Sequence, residues 1–130
     1  MILLDTHVLI FDALAPNRLS KRAARAIQQG TEDRSLAISD VSLWEVAMLV
    51  AKGRLDPGTT PESFLEDLIH ARGLAVLAIT PEIAVLANSG RFPHGDPADR
   101  IIGSTALVHG NSLVTADERL QGVKGLTTVW

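Results

Sequence analysis

Five carboxylates spread along the chain are the residues best placed to do chemistry: Asp5 in LLDTH, Glu45 in SLWEVAMLVAKGRL, Asp96 and Asp99 in HGDPADR, and Asp117 in LVTAD. Most have an ordinary role when taken alone. Asp96 is a preferred N-cap type, Pro97 suits the first helical position, and Asp99 falls where a capping-box acid reaches back. Asp117 reads as the cap of the short segment ERLQG, and Asp5 as a strand-end acid bonded to turn amides. Glu45 is harder to dismiss. It is the only charge in VSLWEVAMLVA, and its neighbours one helical turn away are Val41, Ser42, Met48 and Leu49. Burying a carboxylate on so apolar a helix is costly without a partner, the alternative being a narrow solvent-facing stripe. Gathered in one place, these acids repel one another unless protons or hard cations compensate, and an oxygen-only donor set suits Mg2+ or Mn2+. Two such ions about 4 Å apart can activate a water and stabilise the leaving oxygen in phosphodiester hydrolysis.

Positioning the acids requires a scaffold. Five apolar runs read as strands: ILL at 2–4, LAI at 36–38, LAVLAI at 74–79, SLV at 112–114 and LTTVW at 126–130. Helical stretches lie between them. One runs from Ser20 to Gln29 and closes at Gly30, one from Asp40 to Lys52, one from Pro61 to Arg72, one from Pro81 to Ala87 and one from Pro97 to His109. Strands alternating with helices imply a mostly parallel sheet covered on both faces. In such sheets ligands bind outside the carboxyl ends of the strands, which is where Asp5-Thr6 and Thr115-Ala116-Asp117 fall. Asp96 and Asp99 join them only if their helix begins at the same edge.

The 130 residues fit one domain, expected over 1–130, with 46% hydrophobic residues to build its core. The absence of cysteine excludes disulfides, thiolate metal sites and cysteine nucleophiles, and suits a reducing cytoplasm. The opening MILLDTHVLIFDALAP has no basic leader region and carries Asp5 and Asp12. It reads as the first strand of a soluble protein, with no membrane span expected. Net charge is -3, but setting aside the five candidate acids leaves 10 acidic residues against 12 basic ones, a mildly basic remainder. Only five aromatic residues are present, which offers little for a base-stacking platform.

The segments LLDTH at 3–7, SLWEVAMLVAKGRL at 42–55, HGDPADRIIGSTAL at 94–107 and LVTAD at 113–117 together resemble the four acidic motifs of PIN-domain ribonucleases, and within that family the VapC toxins of toxin–antitoxin pairs. The resemblance covers essentially the whole chain in order. It implies a three-layer α/β/α sandwich with a central, mostly parallel sheet of about five short strands, and cleavage of RNA supported by Mg2+ or Mn2+. It also implies a cognate antitoxin and a homodimer. By family position Asp5, Glu45 and Asp99 match the three main acids and Asp117 the fourth, while Asp96 is a helix cap and an outer metal or metal-water ligand. Thr6 or Thr115 would orient a ligand or water. Arg100 would face the scissile phosphate, or pair with Asp96 or another surface acid.

Other features have weaker ties to this chemistry. Arg18, Lys21, Arg22 and Arg25 fall at i, i+3, i+4 and i+7, either a solvated face or a track for an RNA backbone in which Arg22 and Arg25 carry the contact. His94 is a candidate substrate contact; it and His7 lack a partner at metal-ligand spacing. The VAMLVAKGRL segment and the helix from Pro61 to Arg72 could line a groove for an antitoxin, or be ordinary core. Asp5-Thr6-His7 lacks the DxD pair of haloacid-dehalogenase-like phosphatases, and LAVLAIT has no acid where a receiver domain needs one. Phosphate-loop, dinucleotide and serine-hydrolase motifs are absent. Two rival readings stay open: a PIN nuclease of RNA processing or decay, and a PIN-like interaction module that does not cleave.

Overall fold

Short apolar strands alternate with helices in the computed structural model, which describes residues 1–93 and 95–130. The order is β1 (Ile2–Leu4), α1 (Thr6–Leu14), a 3₁₀ turn (Pro16–Arg18), α2 (Lys21–Glu32), β2 (Leu36–Ser39), α3 (Asp40–Ala51) and α4 (Pro61–Arg72). There follow β3 (Ala75–Leu77), α5 (Pro81–Ala87), α6 (Pro97–His109), β4 (Ser112–Val114), α7 (Glu118–Gln121) and β5 (Thr128–Val129). The sheet has the order β3-β2-β1-β4-β5, and every pairing is parallel. Leu3 pairs with Ala37 and Leu4 with Val114. The chain steps outward from β1 to β2 and β3, then returns to lay β4 on the other side of β1. The crevice between the carboxyl ends of β1 and β4 is therefore the point where winding reverses, the usual ligand position in such sheets.

Single-residue alternation along the strands builds two cores, one on each face. Leu4, Leu36, Ile38 and Val114 pack with Val8 and Leu9 of α1, Ile27 of α2, Val46 of α3, and Phe64 and Leu68 of α4. Leu3, Ala37 and Leu113 turn the other way, onto Ile102 and Ala106 of α6, Leu120 of α7 and Phe92. The result is the expected α/β/α sandwich. Among the described residues no helix is long and apolar enough to cross a membrane.

Several expectations are corrected. The chain after Asp5 leaves the sheet at once and forms α1; THVLIFDAL is apolar on nearly every side, so no helical period stands out from the preceding strand. Gly30 does not end α2, which runs on to Glu32. Its small size serves packing instead, since a Cβ there would lie 2.4 Å from Leu36 Cδ2. Arg18 is not on the face of α2: it belongs to the 3₁₀ turn, and Ser20 starts the helix by accepting the Ala23 N–H at 3.0 Å. That leaves Lys21, Arg22 and Arg25 on α2. β3 and β5, the two edge strands, are shorter than the apolar runs that contain them. A groove does lie along α4, but α1 forms its other wall in place of the VAMLVAKGRL segment. Leu9, Ala13, Phe64, Leu68 and Ala71 line this space of about 470 Å3.

Candidate active site

β1 delivers Asp5 to the crevice, where the carboxylate is 2% exposed and tightly held. Its Oδ1 accepts the Thr6 N–H at 2.8 Å, capping α1, and its Oδ2 accepts the Thr115 hydroxyl at 2.7 Å. The same Thr115 oxygen accepts the Asp117 N–H at 3.0 Å. One buried hydroxyl thus couples the acid after β1 to the backbone of the acid after β4. Asp117 caps α7 by accepting the Arg119 N–H at 2.9 Å, with Arg119 Nε 3.6 Å from the same oxygen.

Glu45 reaches the edge from α3. Its partner is Thr6, whose hydroxyl donates to Glu45 Oε1; that proton being spent, the Ser42 hydroxyl 2.9 Å away supplies the donor between the two hydroxyls. Burial raises the Glu45 carboxyl above its ordinary value of 4.5; the Thr6 hydrogen bond pulls it back, and the charges of Asp96 and Asp5 push it up further. Asp96 is the N-cap of α6, accepting the Ala98 N–H at 3.0 Å, and this turns Asp99 in the first turn toward the same edge. Asp99 is pushed up to about 7, by burial first and then by the charges of Asp5, Asp96, Glu45 and Asp117. The other four acids therefore all act on Asp99 across a single crevice. Their donor set is oxygen throughout, the chemistry of a hard divalent ion. Among the described residues no three such groups are already drawn to the spacing of a closed ion site.

The profile of the PIN domain family matches residues 2–126. The chain belongs to the PIN domain family. This PIN domain is 38% identical to Ribonuclease VapC22 of Mycobacterium tuberculosis, in a match covering 99% of the chain and 98% of that protein. Its fold is similar to that in the crystal structure of VapBC2 from Rickettsia felis bound to a DNA fragment from their promoter. There the TM-score is 0.74 at 18% identity, with 98% of this chain and 97% of that one covered. A toxin-antitoxin complex from Klebsiella pneumoniae gives a TM-score of 0.65 at 21% identity over 98% and 97% of the two chains.

The other residues singled out from the sequence are distributed unevenly around this PIN-domain crevice. Thr6 and Thr115 are buried within it and hydrogen-bonded to acids. Arg100 follows Asp99 in α6 and is half-buried. Arg22 and Arg25 are exposed on α2; Arg22 lines a cleft with Gln121, Thr128 and Trp130. His94 lies outside the described residues. Two participants were underrated in the sequence. Ser42 shares a helix face with Glu45 three residues away, a small buried hydroxyl on an otherwise apolar helix. His7 lies two residues from Asp5, and its Nε2 accepts the Ala116 N–H at 3.0 Å while Nδ1 stands 3.4 Å from Asp5 Oδ2. Its lack of a metal-ligand partner concealed a bridging position that only the pairing of β1 with β4 creates.

Proposed function

We propose that this chain is a divalent-metal-dependent endoribonuclease, a VapC-type toxin whose single PIN nuclease domain spans residues 1–130. The observation that carries the reading is the convergence of five acids from four separate segments on one crevice, where the other four all act on the half-buried Asp99. Such a set is eased at neutral pH by a hard cation, and the oxygen donors fit Mg2+ or Mn2+, one or two ions. Asp5, Glu45, Asp99 and Asp117 would hold the metal directly or through waters, with Asp96 at its outer side. When bound, the metal favours ionisation of a water and offsets charge building on the phosphodiester oxygens.

The protein's own part is positioning. Thr115 holds Asp5 Oδ2, and Thr6 holds Glu45, so neither carboxylate turns away from the crevice when the site is empty of substrate. Arg100, one residue from Asp99, is assigned to the scissile phosphate. The relative named as a ribonuclease supports RNA as substrate, and the toxin-antitoxin complex of similar fold supports an antitoxin partner. The apolar groove between α1 and α4, rimmed by Asp12, Asp67 and Arg72, is the surface assigned to an amphipathic antitoxin helix. On family grounds the protein is a homodimer.

The test is incubation of purified, antitoxin-free protein with total cellular RNA in Mg2+, Mn2+ or chelator, beside Asp99→Asn. Discrete fragments that need the metal and vanish with the variant are expected. Folded protein that binds Mn2+ yet leaves every RNA intact would overturn the nuclease reading; failure to bind metal would favour a non-cleaving interaction module.

A further inference from the structure

A row of rings and guanidinium groups adjoins the acid crevice on the side of β5. His7 is its inner member. Because Nε2 accepts the Ala116 N–H, the neutral ring carries its proton on Nδ1, toward Asp5, and is fixed between the ends of β1 and β4. The ring meets Phe11 at a centroid distance of 5.6 Å and Trp130 at 6.3 Å, both edge to face. Arg18 lies over the Phe11 ring, 4.2 Å from its centroid. Beyond Trp130 opens a cleft of about 220 Å3, lined by Arg22, Gln121, Thr128 and Trp130. The Gln121 amide is anchored by donation to the Thr115 carbonyl at 3.0 Å, so this wall is tied to the segment after β4 that carries Asp117.

Charge points to the occupant. Between Asp12 and Glu32 the chain has four basic residues, Arg18, Lys21, Arg22 and Arg25, and no acid. All four are exposed. A surface of arginines interleaved with aromatic rings takes single-stranded nucleic acid, the phosphates on the cations and the bases on the rings. We propose that the cleft beside Trp130 is a nucleotide subsite flanking the cleavage centre, in which Trp130 stacks a base of single-stranded RNA and Arg22 takes the adjoining phosphate. This assignment rests on the ribonuclease reading above. It also revises the expectation that five aromatic residues are too few to stack on: two of the five, Phe11 and Trp130, are gathered with His7 beside the catalytic acids.

The chain has two tryptophans, and Trp44 is 63% exposed on α3, so Trp44→Phe leaves Trp130 as the sole reporter. That protein is titrated with a mixed-sequence single-stranded oligoribonucleotide in chelator, so that nothing is cut, and with polyphosphate as a baseless polyanion. Quenching by RNA and not by polyphosphate is expected. Arg22→Ala, on an exposed position, should reduce the slope of log affinity against log salt by about 0.7. It should also raise KM for cleavage more than it lowers kcat. Trp130→Ala should weaken RNA binding about tenfold, with Trp130→Phe recovering much of the loss and Mn2+ affinity retained in all three variants. Equal quenching by polyphosphate, or an unchanged salt slope in Arg22→Ala, would overturn the subsite. Should Trp130→Ala fail to fold, the fluorescence and Arg22 results decide alone. Wild-type protein that neither binds nor cleaves RNA would instead overturn the nuclease reading, a separate failure.

Discussion

Asp99 carries a load, from burial first and from repulsion by its neighbours second, that stability measurements can read directly. Its rise from 3.8 to about 7 means that the folded protein holds a proton which the unfolded chain has already released over that range. Stability is therefore highest at low pH as far as this group is concerned, falls as pH rises from about 4, and levels off above about 7. At about 1.4 kcal/mol per tenfold change in proton affinity the ceiling is about 4 kcal/mol. Asp99 is only half-buried, and solvent screening cuts the expected effect to about 1–2 kcal/mol. Asp99→Asn removes the load. In chelator at pH 8 the variant should unfold about 4–8 °C above wild type, and the difference should shrink steadily toward pH 4. Adding Mn2+ at a hundred times its Kd should stabilise wild type by about 2.7 kcal/mol and the variant by less, narrowing or reversing the order. Thermal unfolding followed by circular dichroism checks each point. A variant no more stable than wild type at pH 8, or one equally favoured at pH 4, would refute the argument that burial and the neighbouring acids penalise ionised Asp99.

Three other substitutions test the supports. Thr115→Val deprives both Asp5 Oδ2 and the Asp117 N–H of a partner and should cost about 1–3 kcal/mol in urea unfolding, with Thr115→Ser restoring most of it; equal loss in both variants would count against the hydroxyl. Thr6→Val removes the hydrogen bond that favours ionised Glu45, so the Glu45 carboxyl should titrate still higher by carbon-detected NMR. An unchanged or lower titration would show that Thr6 does not set its proton affinity. Gly103→Ala puts a Cβ 2.4 Å from Phe92 Cε1 and 3.2 Å from Leu120 Cδ2, and overpacking should lower stability by about 1–3 kcal/mol; an unaltered melting temperature would mean that the Phe92 ring yields freely.

Much of the scaffold was legible because its signals are local. Apolar runs marked five strands, and cap residues such as Ser20 and Asp96 marked where helices start. Helix α1 was not legible, because a helix apolar on nearly every side shows no period, and Gly30 misled because a close approach to Leu36 and a helix stop call for the same residue. The acids could be chosen from type and spacing, since a lone Glu45 on an apolar helix needs an explanation wherever it sits. Their proton affinities could not. Those depend on which strands are neighbours, and the β3-β2-β1-β4-β5 order is what sets Asp5 beside Thr115 from 110 residues away. The row from Arg18 to Arg22 through three rings has the same origin. Sequence spacing relates residues along one helix or strand, whereas Trp130 meets His7 and shares a cleft with Arg22 only because α1, α2 and the end of β5 lie on one face of one sheet.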